Sequence, residues 1–260
     1  MAISPDHCDL VRHQFGTHAQ NYVTSPDHAK SDSLDRLLSV VDPQPGWRVL
    51  DVATGGGHTA LALAPHVREV VATDLTAAML VAAEHFIRGQ GVDNVTYREA
   101  DATALPFASG AFDLVTCRIA PHHFPDCARF VREAARVLRP GGLAAVIDNI
   151  VPAEVLAARH INAIEQLRDP SHVWAYTQAD WLDFFAAAGL LVTHTEVFRK
   201  VRDFDFWTGM MSVPEKTKDQ LRVLILQAPQ AARSALAPEE AGGKLKLYLT
   251  EVFVVASKPA

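Results

Sequence analysis

The chain has little cysteine, no basic run and no long apolar stretch. Cys8, Cys117 and Cys127 are its three thiols among 260 residues, and no two of them stand at C-x-x-C spacing. Three cysteines cannot all pair, so a disulfide scaffold is excluded and a reducing, cytoplasmic setting is expected. Lysine and arginine number 24 against 30 aspartate and glutamate, a formal charge of −6. A protein that grips nucleic acid by neutralising phosphates carries a basic patch, so no nucleic-acid partner is expected. The longest apolar stretches, such as Ala77–Ala83 and Leu143–Ile147, are far too short to cross a bilayer, and no membrane span is read. Met1–Leu10 holds Asp6, His7 and Asp9 and lacks an apolar h-region, so it reads as no signal peptide. His7, His13, His18 and His28 match no zinc spacing, and no metal is expected.

What is present is a chain that is 49% hydrophobic and long enough for one large domain with a sizeable core. The first thirty residues read as irregular. Leu34, Leu37, Leu38 and Val41 then mark one helix face, broken by Asp42-Pro43-Gln44-Pro45-Gly46. Arg48–Val52 reads as a buried strand, followed by the Thr54-Gly55-Gly56-Gly57 turn and a helical segment to about His66. Val70–Thr73 is a second strand ending at Asp74, with Thr76 as the expected N-cap of the next helix. Asn94–Arg98, Phe112–Cys117 and Leu143–Ile147 are further strands, and Phe130, Val131, Ala134, Val137 and Leu138 line a helix before the last of these. Strands alternating with helices imply right-handed crossovers and a doubly wound α/β unit with a mostly parallel sheet, covered on both faces. Beyond residue 150 the spacing predicts helices over Ala153–Leu167, around Trp181–Ala188 and after Pro214, a strand at Leu190–Val197, an aromatic loop at Asp203–Val213, and Lys244–Ala256 as one long strand or two short ones. The divisions are 1–42, an N-terminal helical cap; 43–150, the core; and 151–260, insertions and closing strands of the same domain.

Ligands of open α/β sheets bind beyond the carboxyl ends of the strands. Asp51, Asp74 and Asp101 stand at three such ends, beside a glycine turn that lets backbone approach a ligand. The helix after Gly57 aims its first N–H groups at the same place, which favours a negative group. Asp74 lies 19 residues past Gly55, the usual place for an acid that takes ribose hydroxyls. A dinucleotide fingerprint would need a third glycine, but position 60 is Ala60, so a pyrophosphate cradle is disfavoured; a P-loop is absent as well.

Val49–Gly57 resembles motif I of the class I S-adenosylmethionine-dependent methyltransferases. Val71–Leu75, Ala100–Ala102, Phe112–Val115 and Arg136–Gly142 follow in that family's order and spacing. The nearest flavour is the small-molecule branch (methyltransferase type 11 domain) that includes ubiquinone and menaquinone biosynthesis enzymes. The resemblance covers about residues 10–150. It implies a Rossmann-like sheet of seven strands, the last antiparallel, with helices on both faces and an inserted helical lid. It also implies S-adenosylmethionine as cofactor. Asp51 and the backbone around Ala53, Thr54, Gly55 and Gly57 would hold the methionine end; Asp74 would take the ribose hydroxyls; Leu75 and Met79 would lie beside the adenine. Asp101 would accept from the adenine amino group with Ala102 alongside, and Arg118 would order the cofactor carboxylate or its own loop. Ala53 and Gly56 depart from the family's common Gly and Thr, both within small residues. A stretch around Phe15 and Tyr22 resembles a helix that covers the cofactor in relatives, although both aromatics could equally serve packing.

The segment after the fourth strand carries His122 and His123 next to the expected sulfonium position. Either could be a general base or orient the acceptor, and the alternative is a turn whose histidines bond the backbone. The Asn/Asp-Pro-Pro-Tyr/Phe motif of nucleic-acid amino-methyltransferases is missing. The expected acceptor is therefore a small, partly apolar metabolite methylated at O or C. Trp174, Trp181, Phe204, Phe206, Trp207, Met210 and Met211 would line its pocket or simply pack an inserted helix pair. A cofactor-binding protein that does not methylate, catalysing another reaction or serving as a scaffold, is the alternative. Monomer and homodimer are both open.

Overall fold

The computed structural model describes the backbone of residues 5–24 and 32–260, with side chains for 7–16 and 33–260. The expectations on His18, Tyr22 and His28 fall outside the described side chains. Eight strands form one sheet: β1 (Arg48–Val52), β2 (Glu69–Asp74), β3 (Val95–Glu99), β4 (Phe112–Arg118), β5 (Leu138–Ile150), β6 (Leu191–Asp203), β7 (Glu239–Ala241) and β8 (Lys244–Ser257). The order is β3-β2-β1-β4-β5-β8-β6, with β7 hairpinned onto β8. The strands from β3 to β5 pair in parallel, while β8 runs antiparallel between β5 and β6. The expected closing strand is thus one long strand placed inside the sheet.

The helices are α1 (Pro5–Thr24), α2 (Asp32–Val41), α3 (His58–Leu63), α4 (Ala77–Gly89), α5 (Cys127–Val137), α6 (Val155–Arg168), α7 (Gln178–Ala187), α8 (Phe204–Gly209), α9 (Glu215–Leu226) and α10 (Gln230–Leu236). Both faces of the central strands are covered. Val252, Val254 and Ala256 pack with Phe130, Val131, Trp181 and Phe185 from α5 and α7, and the alternating Phe253 and Val255 pack with Leu37, Leu63 and Ile87 from α2, α3 and α4. A third cluster joins Ile161, Ile164, Phe204, Leu221 and Ala232 of the inserted helices to Leu245 and Leu247, where β8 runs past the core. Local signals agree with these elements. Asp126 accepts from Arg129 N–H at 2.7 Å to cap α5, and Thr177 with Asp180 forms a capping box on α7.

Several expectations change. The N-terminal stretch, irregular by its residues but helical by the resemblance, is the helix α1; its polar sequence carries no amphipathic period, and it is placed by packing on α4 and over the site. Thr76 stands at the N-cap of α4, but its side chain makes no capping bond; Asp74 Oδ1 accepts from the Thr76 N–H at 2.9 Å instead. β6 extends to Asp203 because an edge strand needs no apolar run, and its exposed and half-buried residues alternate. The aromatic loop contains α8, started by Asp203 accepting from Phe206 N–H at 3.0 Å.

Trp181 is 0% exposed and meets Tyr176, Phe184 and Phe185 in the core. Truncation there removes a large filled volume, so Trp181→Ala should cost about 3–5 kcal/mol. Denaturant unfolding measures this, and a loss below about 1 kcal/mol would contradict the placement.

Candidate active site

The carboxyl ends of β1 to β4 surround a cavity of about 1010 Å³, its open mouth included. It lies at the switch point, where the chain turns from β1 to β2 on one side and to β4 on the other. After β1 the backbone enters the left-handed region at Ala53 (φ 52°), Gly55 (φ 54°) and Gly57 (φ 84°). Gly57 has no substitute: a Cβ there would lie 2.8 Å from Ile87 Cδ1 and 3.0 Å from Ala83 Cβ. Asp51 is buried beneath the turn. Its Oδ2 accepts from Thr54 Oγ1 at 2.6 Å and its Oδ1 from Thr116 Oγ1 at 2.7 Å. Burial outweighs both hydroxyls and raises its pKa to about 6.

Of the expected cofactor residues, Ala53, Thr54, Gly55, Asp74, Leu75, Met79, Asp101, Ala102 and Arg118 line this cavity. Asp51 and Gly57 do not; they stand behind its wall and shape the turn. Asp74 Oδ2 accepts from Gly55 N–H at 3.0 Å, which ties the turn to β2. Burial pushes the Asp74 carboxyl to about 6 as well, against the backbone N–H groups of Thr76 and Gly55. Asp101 Oδ1 accepts from Thr103 N–H at 2.7 Å and Thr103 Oγ1 at 2.8 Å. Arg118 is tethered through Nε to Thr59 Oγ1 at 3.1 Å and through Nη1 to Ser33 Oγ at 3.4 Å. Sequence reasoning missed His7, Cys8 and Val11, which α1 adds to the wall beside Phe15. A helix without an apolar stripe offered no signal for them.

A second cavity of about 640 Å³, its open mouth included, adjoins the first and shares Phe15, Ile119 and His123 with it. His122 lines this second cavity. Its Nδ1–H donates to Asp148 Oδ1 at 2.6 Å, and its Nε2 has no hydrogen-bond partner among the described residues. Burial disfavours a charged ring, but Asp148, with Glu165 and Asp169 behind it, outweighs burial and raises the His122 pKa. His123 differs. Its Nδ1–H donates to the Ser171 carbonyl at 3.0 Å, its ring meets the Phe15 ring at 4.9 Å, and burial together with the neighbouring His122 lowers it to about 3. His172 is neutral for the same reasons, lowered to about 2, and donates from Nε2 to Asn162 Oδ1 at 2.8 Å. The two readings of the histidine pair therefore divide: His123 bonds the backbone, and His122 has a carboxylate partner. Asp148 was one residue past the expected strand and carried the same signal as Asp51, an acid at a strand's carboxyl end.

The expected aromatic pocket is only partly assembled. Phe206, Trp207 and Met210 line the second cavity, whereas Trp181, Phe204 and Met211 belong to the core clusters. Trp174 acts through its backbone, whose N–H donates to the His122 carbonyl at 3.1 Å. Among the described residues no group of three or more His, Cys, Asp or Glu could hold a metal ion, and no helix is long and apolar enough to cross a membrane.

Residues 50–146 match the methyltransferase domain. An uncharacterized methyltransferase of Bacillus subtilis, YcgJ, is 32% identical over 219 residues, covering 84% of this chain and 87% of that protein. A solved structure from Bacillus halodurans, assigned to the methyltransferases, is 37% identical, with a TM-score of 0.85 over 88% of this chain and 100% of that one. A demethylmenaquinone methyltransferase of Thermus thermophilus is 42% identical over 103 residues, but these are 39% of this chain and 46% of that protein, so the likeness to the menaquinone branch covers only part of each. Fold, motifs and relatives agree: the chain belongs to the class I S-adenosylmethionine-dependent methyltransferases.

The raised carboxyl under the turn makes a pH prediction. The unfolded Asp51 ionises near 3.8 and the folded one near 6. Between those values the unfolded state has lost a proton the folded state retains, so this group's contribution to stability falls as pH rises and levels off above about pH 6. Asp51→Asn removes the titration. The stability of the wild type relative to Asp51→Asn should therefore decline from pH 4 to 6 in denaturant titrations; a flat difference would refute it.

Proposed function

We propose that the protein transfers a methyl group from S-adenosylmethionine, by in-line displacement, to an O or C atom of a small, partly apolar acceptor, releasing S-adenosylhomocysteine. The observation that carries this reading is the adjacency of the two cavities, with a carboxylate-paired histidine in the second. The residues of the first cavity fit the cofactor. Gly55 in the left-handed region leaves room that a Cβ would take, 3.5 Å from Met79 Cε. Asp74 is held by the backbone N–H groups of Gly55 and Thr76 in the cavity wall, where burial raises its pKa, and ribose hydroxyls would donate to it there. When bound, S-adenosylmethionine supplies a methyl carbon on a cationic sulfur, open to displacement.

The chain's own groups would do the rest. The turn at Ala53, Thr54 and Gly55, with Arg118, would hold the methionine end, with Asp51 and Gly57 acting from behind. Leu75 and Met79 would flank the adenine, and Asp101 beside Ala102 would accept from its amino group. His122 Nε2 would take the proton from the acceptor's hydroxyl or acidic C–H, and Asp148 would hold the ring in the matching tautomer and stabilise its charge. His123, kept neutral, is a positioning group between the cavities. Orientation supplies the remainder, since the nucleophile must stand about 3–3.5 Å from the methyl carbon.

Incubation with labelled S-adenosylmethionine and a metabolite extract should label small molecules. Label confined to protein or nucleic acid would overturn the acceptor class, and tight cofactor binding without any turnover would favour a non-methylating activity. Asp74→Ala should weaken S-adenosylhomocysteine binding by about one to two orders of magnitude, on the order of 1.5–3 kcal/mol for hydrogen bonds to a charged group; calorimetry with unchanged affinity would remove Asp74 from the site. His122→Asn should lower kcat about 10²–10⁴-fold and leave cofactor affinity intact. A base must be neutral, and Asp148 holds His122 above its usual 6.5, so wild-type kcat should climb with pH through a midpoint above 6.5. That limb should vanish in His122→Asn, and its survival would exclude His122 as the base.

A further inference from the structure

The second cavity carries a guanidinium that the methyl-transfer chemistry leaves unused. Arg168, at the end of α6, donates from Nε to the Trp207 carbonyl at 3.1 Å, and its plane covers the Trp207 ring at 4.8 Å. Its terminal nitrogens make no hydrogen bond among the described residues. The Glu165 carboxylate stands 3.7 Å from Nη1, beyond hydrogen-bond reach. Arg202 lines the same cavity, with Nη2 3.6 Å from Glu251 Oε1. Both arginine side chains are 15% exposed. In the same wall, Asn149 Oδ1 is buried without a partner.

The carboxylates around these cations leave the terminal nitrogens of Arg168 without a hydrogen bond among the described residues. Asp169 is committed to Ser171, accepting from its N–H at 2.9 Å and its hydroxyl at 2.6 Å. Asp148 is committed to His122. Burial pushes Glu165 and Glu251 upward, against the neighbouring Arg168 for the one and Lys200 and Arg202 for the other. The aromatic face that could attract an ammonium is already occupied, because Arg168 lies over Trp207. A guanidinium edge with two parallel N–H groups matches a carboxylate or phosphate.

We propose that the second cavity takes a methyl acceptor with an anionic head, a carboxylate or a phosphate, received by the edge of Arg168, while the acceptor's apolar part lies against Phe206, Trp207 and Met210. This rests on the methyl-transfer reading, since the second cavity belongs to an acceptor only if the first holds the methyl donor. Asn149 Oδ1 would then accept from a hydroxyl or N–H on the acceptor, and Arg202 would add positive potential behind the head.

Calorimetry on the full chain saturated with S-adenosylhomocysteine tests it with four matched probes: 3-phenylpropanoate, 3-phenylpropyl phosphate, 3-phenylpropan-1-ol and 3-phenylpropylamine. At least one anion should bind about tenfold or more tighter than the alcohol and the amine, and the stronger anion identifies the head. Arg168→Met should abolish the preference and leave S-adenosylhomocysteine affinity unchanged. Arg168→Lys, which keeps the charge without the fork, should retain part of it. Equal affinities in the wild type, no measurable binding of either anion, or an intact preference in Arg168→Met overturns the proposal. The wild-type comparison stands even if a variant does not fold. Failure of S-adenosylhomocysteine to bind would remove the methyl-transfer reading itself, an outcome separate from loss of the anion preference.

Discussion

One buried carboxylate organises the centre of this molecule. Asp51 ends up under the glycine turn, away from bulk water, and its two oxygens take hydroxyls from Thr54 in the turn and Thr116 in β4. Thr73 Oγ1 donates to the Asp51 carbonyl at 3.2 Å, so β2 is drawn into the same knot. A polar group removed from water must find partners or destabilise the fold, and these partners come from three neighbouring strand ends. The left-handed turn above follows from this. Ala53 and Gly55 bend the backbone over Asp51, and the Gly55 N–H then faces Asp74 rather than solvent. The cavity's shape is thus set by satisfaction of one acid, with the lining groups built outward from it.

Two adjacent histidines show how little distance is needed to give one residue type opposite properties. Burial acts on both rings. His122 meets a carboxylate at 2.6 Å, and its charge is favoured. His123 finds a backbone carbonyl, with Asp169 no nearer than 4.0 Å and the His122 ring 4.2 Å away, and its charge is suppressed. Two rings this close cannot both carry charge in a dry site, so Asp148 decides which one does. The arrangement separates a group suited to moving a proton from one suited to holding a wall.

The core was legible because the physics there is local. Continuous apolar strands, a glycine turn, and acids at strand ends each write themselves into short segments, and the parallel pairing of the strands followed from their alternation with helices. The rest depended on distant packing. α1 has no apolar face to announce a helix, yet its His7 and Phe15 meet His123 over a hundred residues away. Trp181 and Phe206 are both aromatic residues in the inserted part, and nothing in their spacing tells the core residue from the cavity residue. Asp148 was missed for a smaller reason, a strand read as ending at Ile147 when it runs on to Ile150. Arg168 and Arg202 belong to a helix and an edge strand far apart in sequence, and only the fold brings them to one wall.

The two cavities meet at the turn after β4. Ile119 lines both, in the left-handed region at φ 53°, a conformation that costs a β-branched residue on the order of 1–3 kcal/mol. The bond from its N–H to the Ile147 carbonyl at 2.8 Å holds it there. That sharp turn is what sends the chain from Arg118, in the wall of the first cavity, to His122, in the wall of the second, within four residues. An extended residue at this position would carry the chain past the strand end and separate the two histidines from the wall of the first cavity. The strain is therefore spent on adjacency, and adjacency is the property on which a displacement between two ligands depends.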